Sequence, residues 1–167
     1  MAMTRRISPC LWFDDQAEDA AKHYVGIFES SRITATTRYG SAGVEVHGRP
    51  PGSVMTVDFE LDGNPFTALN GGPHFTFNEA VSLQLFCESQ DEIDHYWGKL
   101  SAGGDPKAQQ CGWLKDRYGL SWQVVPTGME KMLADPDSPG ARRAMEAMLQ
   151  MKKIDLGALE RAFAGGG

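Results

Sequence analysis

Residues 53–75 read SVMTVDFELDGNPFTALNGGPHF. In the first half Val57, Phe59 and Leu61 alternate with Thr56, Asp58 and Glu60. This is the period-two pattern of a strand with one buried face. Asp62-Gly63-Asn64 then supplies a hairpin turn, because Asp and Gly tolerate the positive φ that tight two-residue loops require. The run PFTAL, residues 65–69, returns as the partner strand. Asn70-Gly71-Gly72-Pro73 ends the hairpin and delivers His74 between Pro73 and Phe75. Two chemistries suit that ending: paired glycines can cradle a phosphate, and a histidine can move a proton near neutral pH. No helix pattern follows the glycines and no second titrating group is paired with His74, so a turn between modules is the favoured reading.

Upstream, ISPCLWF reads as a strand, and Asp14-Asp15 open a helix in which Ala17, Ala20, Ala21, Tyr24, Val25 and Phe28 share one face. Asp15 followed by Glu18 predicts a capping box. A strand is expected around Ile33 to Tyr39, then a Gly/Pro-rich loop over residues 40–51. Downstream the same order begins again. AVSLQLFCES is a strand, Ser89 with Glu92 a second capping box, and Ile93, Tyr96, Trp97 and Leu100 an apolar helix face. QQCGWLKD, the turn Arg117-Tyr118-Gly119 and LSWQVVP complete the repeat, with a further strand expected near Lys107 to Gln110. LDGNPFTAL and DRYGLSWQVV rhyme, with Gly63 opposite Gly119 and Thr67 opposite Gln123. Residues 127–164 read as helical, broken by Pro136 and Pro139. Their Met145, Met148 and Leu149 stripe suits a core or a subunit interface.

The chain has 167 residues, a net charge of −6 and three cysteines, Cys10, Cys87 and Cys111. A domain of this size buries roughly 70% of its unfolded surface and needs no disulfide or metal for stability. The acidic balance and the lack of a Lys/Arg cluster argue against nucleic-acid binding. No apolar run has the length of a membrane span, and the N-terminal run is too short for a signal peptide. An odd number of cysteines without C-x-x-C spacing predicts reduced thiols and a cytoplasmic protein. His23 and His95 fall beside helix stripes and His47 in the loop, so surface positions are expected for all three. Lys115-Asp116-Arg117 reads as a solvated hairpin end. The minority alternative is that one of these cations holds an anionic ligand.

The stretches PCLWFDDQAEDAAKHYVGIF, GSVMTVDFELDGNPFTALNGGPHF, CGWLKDRYGLSWQVVP and AMLQMKKIDLGALERAF together resemble the PhnB-like family, often labelled 3-demethylubiquinone-9 3-methyltransferase. That family is a branch of the vicinal oxygen chelate superfamily of glyoxalases, extradiol dioxygenases and bleomycin-resistance proteins. The resemblance implies an α+β fold of tandem β-α-β-β-β modules, about 5–72 and 78–126, whose two curved sheets surround a cleft. It makes 1–126 the domain and 127–167 a C-terminal helical extension of it, assembled as a homodimer.

In metal-using relatives, His and Glu ligands come from the first and last strands of each module. Their positions fall on Ser8, Thr67, Ser82 and Gln123 here. Hydroxyls and amides are poor ligands for a divalent cation, so no metal cofactor is expected. A methyltransferase that uses S-adenosylmethionine typically carries a glycine-rich loop after its first strand. DDQAEDA contains no glycine. By alternation Trp12 and Gln84 join the four positions, and Trp113, Asn70 and His74 complete the expected ligand-binding cleft. Such a lining suits an unidentified small molecule. A metal-free small-molecule-binding protein is the leading reading. The alternatives are a divergent glyoxalase- or dioxygenase-type enzyme, a methyltransferase, or a regulatory partner protein with a filled cleft.

Overall fold

The computed structural model describes residues 7–166; the expected module start at residue 5 and the end of the extension at 167 lie outside them. The chain forms two compact units that divide between Thr76 and Phe77. Each is a helix-backed sheet, and no helix among the described residues is long and apolar enough to cross a membrane.

The first unit runs β1 (Cys10–Phe13), α1 (Ala17–Val25), β2 (Arg32–Arg38), α2 (Val44–His47), β3 (Val54–Leu61) and β4 (Asn64–Asn70). Its four strands lie in the order β1-β4-β3-β2. The β3–β4 hairpin closes on Asp62 at φ 47 and Gly63 at φ 71, the two positive values of a type I′ turn. Its register pairs Asp58 with Thr67. β4 also pairs in parallel with β1, setting Cys10 beside Thr67. Val57, Phe59, Leu61 and Ala68 are buried, and so are Leu11 and Phe13 of β1. They face α1, where Tyr24 stacks on Phe59 with ring centroids 6.3 Å apart. Each large side chain fully buried in this way contributes about 1.5–3 kcal/mol.

The start of α1 departs from the capping box expected at Asp15. The cap position is Gln16, which makes no side-chain cap bond. The first-turn donor, Ala17 N–H, instead bonds Asn70 Oδ1 at 2.8 Å. A cap from a distant strand satisfies the same orphan amide and also fixes the helix on the sheet. Asp14 pairs with Arg49, Nη2 to Oδ1 at 3.1 Å. The helix ends at Val25, so Phe28 is buried from the turn beyond it.

The second unit runs β5 (Ser82–Cys87), α3 (Gln90–Ser101), β6 (Trp113–Lys115) and β7 (Ser121–Pro126), with strands in the order β5-β7-β6. Ser89 caps α3 by accepting from Glu92 N–H at 3.2 Å. The return contact of the box reaches one residue further back, to Glu88 N–H. Ile93, Trp97 and Leu100 form the buried face of α3. The strand expected near Lys107 to Gln110 is absent. Pro106–Ala108 forms a single 3₁₀ turn, with Lys107 N–H bonded to Asp105 Oδ1. Pro106 lacks an N–H and locks φ, which favours the turn over a strand. Gln110 then bridges Trp113 around Cys111 at φ 51 and Gly112 at φ 83.

The C-terminal segment carries α4 (Met129–Met132), α5 (Pro139–Leu149) and α6 (Leu156–Ala164). It docks on the Cys111-Gly112 turn, whose N–H groups donate to Met151 and Lys152 carbonyls at 2.9 and 2.8 Å. Gln90 clamps the same segment, donating to Ile154 O and accepting from Leu156 N–H. α5 begins with Ser138 as cap and Pro139 in its first turn. It buries Ala141 and Ala144, whereas Met145 and Leu149 are 38% and 50% exposed. Of the Met145, Met148 and Leu149 stripe, Met148 is half-buried and the other two are turned outward, while the small alanines face inward and permit close packing.

Asp116 overturns the expectation of a solvated hairpin end. It is 2% exposed, and its carboxylate accepts from Tyr118 and Leu120 N–H and from Trp122 Nε1 at 2.8, 3.1 and 2.9 Å. A buried carboxylate is tolerated where donors replace water. Asp116→Ala leaves these donors unsatisfied and is expected to lower unfolding stability by about 3 kcal/mol in urea titrations. Arg117→Ala, at a position outside the core, should cost less than about 0.5 kcal/mol.

Cys87 is fully buried, and burial pushes its thiol from 9.0 up to about 11, with the Glu92 carboxylate adding to the effect. Between those values the unfolded state binds fewer protons than the folded one, so stability rises as pH increases only if that order were reversed; here it falls across the window as the deprotonated unfolded chain gains. Urea midpoints measured from pH 8 to about 11 should show an added contribution to unfolding from this thiol, and Cys87→Ala should lack it.

Candidate functional site

Each sheet has one face packed on its helix and one face free of it. In the first unit the helix-free face carries Cys10 and Trp12 from β1, Thr56, Asp58 and Glu60 from β3, and Thr67 from β4, as alternation and register require. Thr67 Oγ1 donates to Asp58 Oδ1 at 2.6 Å. Thr37 and Thr56 join their hydroxyls at 2.5 Å, and Arg32 pairs with Glu60 at 3.1 Å. Cys10 is exposed, and partial desolvation against the sheet, then the Asp58 carboxylate, raise its thiol above the ordinary value. Cys10 is therefore a poor nucleophile at neutral pH.

Trp12 is held by the segment that follows β4. Its Nε1 donates to Gly72 O at 2.8 Å, and its ring meets Phe75 edge-on at 4.9 Å. Gly71 is required here because a Cβ would overlap the indole. Gly72 adopts φ 98, so the glycine pair serves a turn and a close approach. His74 is exposed in this turn, and its ring lies beside Gly72. Asn70 faces α1 and is buried. Besides capping that helix it donates to Val54 O, and its carbonyl accepts from Tyr39 Oη. Ser8 is exposed, ahead of β1, and the residue beside Thr67 in register is Cys10.

The second unit brings its expected residues together. Gln123 on β7 is in register with Gln84 on β5 and with Trp113 on β6. Gln123 Nε2 donates to Ser82 Oγ at 2.8 Å, and Gln84 Nε2 approaches Gln123 Oε1 at 3.4 Å. The next row places Lys115, Ser121 and Ser82 side by side. Lys115 Nζ meets Glu79 Oε1 at 2.6 Å. Sequence reasoning did not single out Cys10, Asp58, Ser121 or Glu79. The resemblance that marked Thr67 and Gln123 carries no position for Ser121 or Asp58, which strand alternation places on the same faces once the cross-strand register is known.

The other histidines hold no cluster. His47, half-buried at the end of α2 within the expected 40–51 loop, accepts at Nδ1 from Arg49 N–H, and its ring lies 4.6 Å from Tyr39. His23 is half-buried beside Tyr24, and His95 is exposed with its ring edge-on to Tyr96. Beside the first turn of α1 lies a cavity of about 220 Å³ lined by Asp15, Glu18, Asp19, Arg49 and Asn70 among others. Its arginine and amide are already committed to Asp14, Ala17 and Val54.

Two helix-backed sheets, one of four strands and one of three, define a small α+β protein. The family described as 3-demethylubiquinone-9 3-methyltransferase matches residues 5–125, and the chain belongs to that family, the PhnB-like family its sequence resembles. It is similar to the PhnB protein from Bacillus cereus, with 32% identity and a TM-score of 0.62 over 74% of this chain and 100% of that one. Protein PA1353 from Pseudomonas aeruginosa matches at 19% identity and a TM-score of 0.56, over 74% and 98% of the two chains. A glyoxylase/bleomycin resistance protein/dioxygenase domain from Frankia sp. EAN1pec matches at 14% identity and a TM-score of 0.46, over 75% and 93%. Among curated proteins none matches the chain.

The residues on these faces fit neither a divalent metal nor S-adenosylmethionine. Gln123 beside Gln84 and Ser82 offers amides and a hydroxyl, and Thr67 beside Cys10 offers a hydroxyl and a thiol with Asp58 as the neighbouring carboxylate. Such donors bind a divalent cation weakly. Among the described residues no group of three or more His, Cys, Asp or Glu could hold a metal ion. For S-adenosylmethionine, the turn from β1 into α1 contains no glycine, and Asn70 already occupies a first-turn amide of that helix.

Gly71→Ala is expected to displace Trp12 and to lower unfolding stability by about 2 kcal/mol, the cost of overpacking a filled site. In a Trp12→Ala background the same change should cost much less. A double-mutant cycle read by urea titration checks the coupling.

Proposed function

We propose that this PhnB-like chain is a small-molecule-binding protein that works without a metal, as a cytoplasmic homodimer. The observation that carries the reading is the linked set Ser82, Gln123 and Gln84 beside Trp113. Neutral amides and hydroxyls next to an aromatic side chain can orient a ligand, whereas they supply neither a Lewis acid nor a general base. On the other sheet Thr67 and Trp12 lie on one face, where Thr67 donates to the Asp58 carboxylate. The dimer is supported by Met145, Leu149 and Phe163, which expose apolar surface on the C-terminal helices. The cytoplasmic assignment is supported by three free cysteines.

Native mass spectrometry of protein purified from its own cells should find an organic molecule bound and no stoichiometric metal. Gln123→Ala should release that molecule while leaving the fold intact by circular dichroism. Tight binding of one divalent ion per chain, or calorimetric heat with millimolar S-adenosylmethionine, would favour an enzyme of the glyoxalase or methyltransferase kind. Sedimentation at micromolar concentration should give a dimer, and Leu149→Asp should shift it to monomer.

A further inference from the structure

The row Lys115–Ser121–Ser82 crosses all three strands of the second sheet in register. Leu114, between Trp113 and Lys115, is buried on the helix side. Alternation therefore puts Lys115 and Trp113 on the helix-free face with Ser121, Ser82, Gln84 and Gln123. Ser121 is 1% exposed, and its Oγ has no hydrogen-bond partner among the described residues. A buried hydroxyl in that state is destabilising unless something bonds to it. The side chain of Lys115 is 25% exposed, and that of its partner Glu79 is 62% exposed. Glu79 lies in the irregular segment ahead of β5. Ion pairs with an exposed partner contribute little net stability, so Glu79 is readily exchanged. A half-buried ammonium next to a low-dielectric sheet face, however, does require an anion.

We propose that Lys115 and Ser121 form a carboxylate-binding point on this face, that Glu79 occupies only its Lys115 half as an internal placeholder, and that the ligand is a small organic monoanion with a flat apolar body. The inference rests on the small-molecule-binding reading and deepens it by naming the ligand class. A carboxylate offers about four lone-pair sites, enough to accept from the ammonium and from the serine hydroxyl together. Ser82 already accepts from Gln123, which leaves its O–H to donate to the same anion. Trp113 and the Gln84–Gln123 amides form the next row, against which a planar body with a polar edge would lie. One cation favours a monoanion over a phosphate dianion. Glu79 supports the assignment from the other side: hydrogen bonding to Lys115 holds its carboxyl below the usual carboxylate range.

The test uses benzoate and its neutral analogue benzamide as probes of the full-length chain, with binding followed by calorimetry and tryptophan fluorescence. Glu79→Gln should bind benzoate about 5-fold tighter than the parent, because the competitor for Lys115 is gone. Lys115→Met should weaken benzoate at least about 10-fold and leave benzamide unchanged, whereas Lys115→Arg should retain benzoate. Ser121→Ala should weaken benzoate while the free protein stays as stable as the parent or becomes more so, since an unsatisfied hydroxyl has been removed. Equal benzoate affinity in the parent and Lys115→Met, or no tightening in Glu79→Gln, would overturn the inference. If benzamide binds as well as benzoate in every variant, the binding reading stands and the carboxylate point falls. If neither probe binds any variant, and no organic molecule copurifies with the chain, both fall.

Discussion

The first unit depends on one side chain. Asn70, at the end of the central strand β4, caps α1 through Ala17 N–H, donates to Val54 O, and lends its carbonyl to Tyr39. It is buried, so each of these bonds replaces one that water would otherwise make. The result is that helix, hairpin and edge-strand loop meet at a single residue. An Ala-rich helix of nine residues is marginal in isolation and takes its stability from the sheet it covers. Asn70 sets where along the sheet that covering begins. The next two residues extend the joint, since Gly71 makes room for Trp12 and Gly72 receives the indole N–H.

The second unit reaches a similar end by other means. Its sheet has three strands where the first has four. The missing strand is replaced by a 3₁₀ turn and by the tight Cys111-Gly112 loop. That loop presents two adjacent N–H groups, and the C-terminal segment supplies the carbonyls of Met151 and Lys152 to meet them. Gly112 is required there: a Cβ would crowd Val124 O and Ile154. The CGWLKD motif is therefore a docking joint for the chain's own C-terminal segment. Asp116, inside the same motif, draws three donors inward and frees Lys115 to emerge on the opposite face of the strand.

Several features were legible in the residue order because they are local. The strict alternation in residues 54–61, the positive-φ pair Asp62-Gly63, the Ser89 cap and the apolar stripe of α3 all follow from neighbours within a turn or two. The expected match of Thr67 with Gln123 counts along hairpins of different loop length, since Leu61 pairs with Asn64 whereas Lys115 pairs with Ser121. Other features were not, because their partners are distant in sequence. Nothing near Asp15 reveals that Asn70 replaces it as the cap. Asp116 reads as a surface charge until Trp122 and two backbone amides are known to surround it. The methionine stripe has the right spacing for a core, but α5 turns its alanines inward and leaves Met145 and Leu149 outside.

By itself the sequence determined the order of helices and strands in most of each unit and which strand faces are buried. These follow from side-chain period and turn chemistry, which are properties of short segments. Tertiary structure alone decided the hydrogen-bond partners. It made FTALNGGPHF a clamp for Trp12, with Asn70 as the bracket and His74 left exposed at its edge. It also set Lys115, Ser121 and Ser82 in one row. Cross-strand register joins residues far apart in the chain, and only the hydrogen-bonded sheet specifies which of them meet.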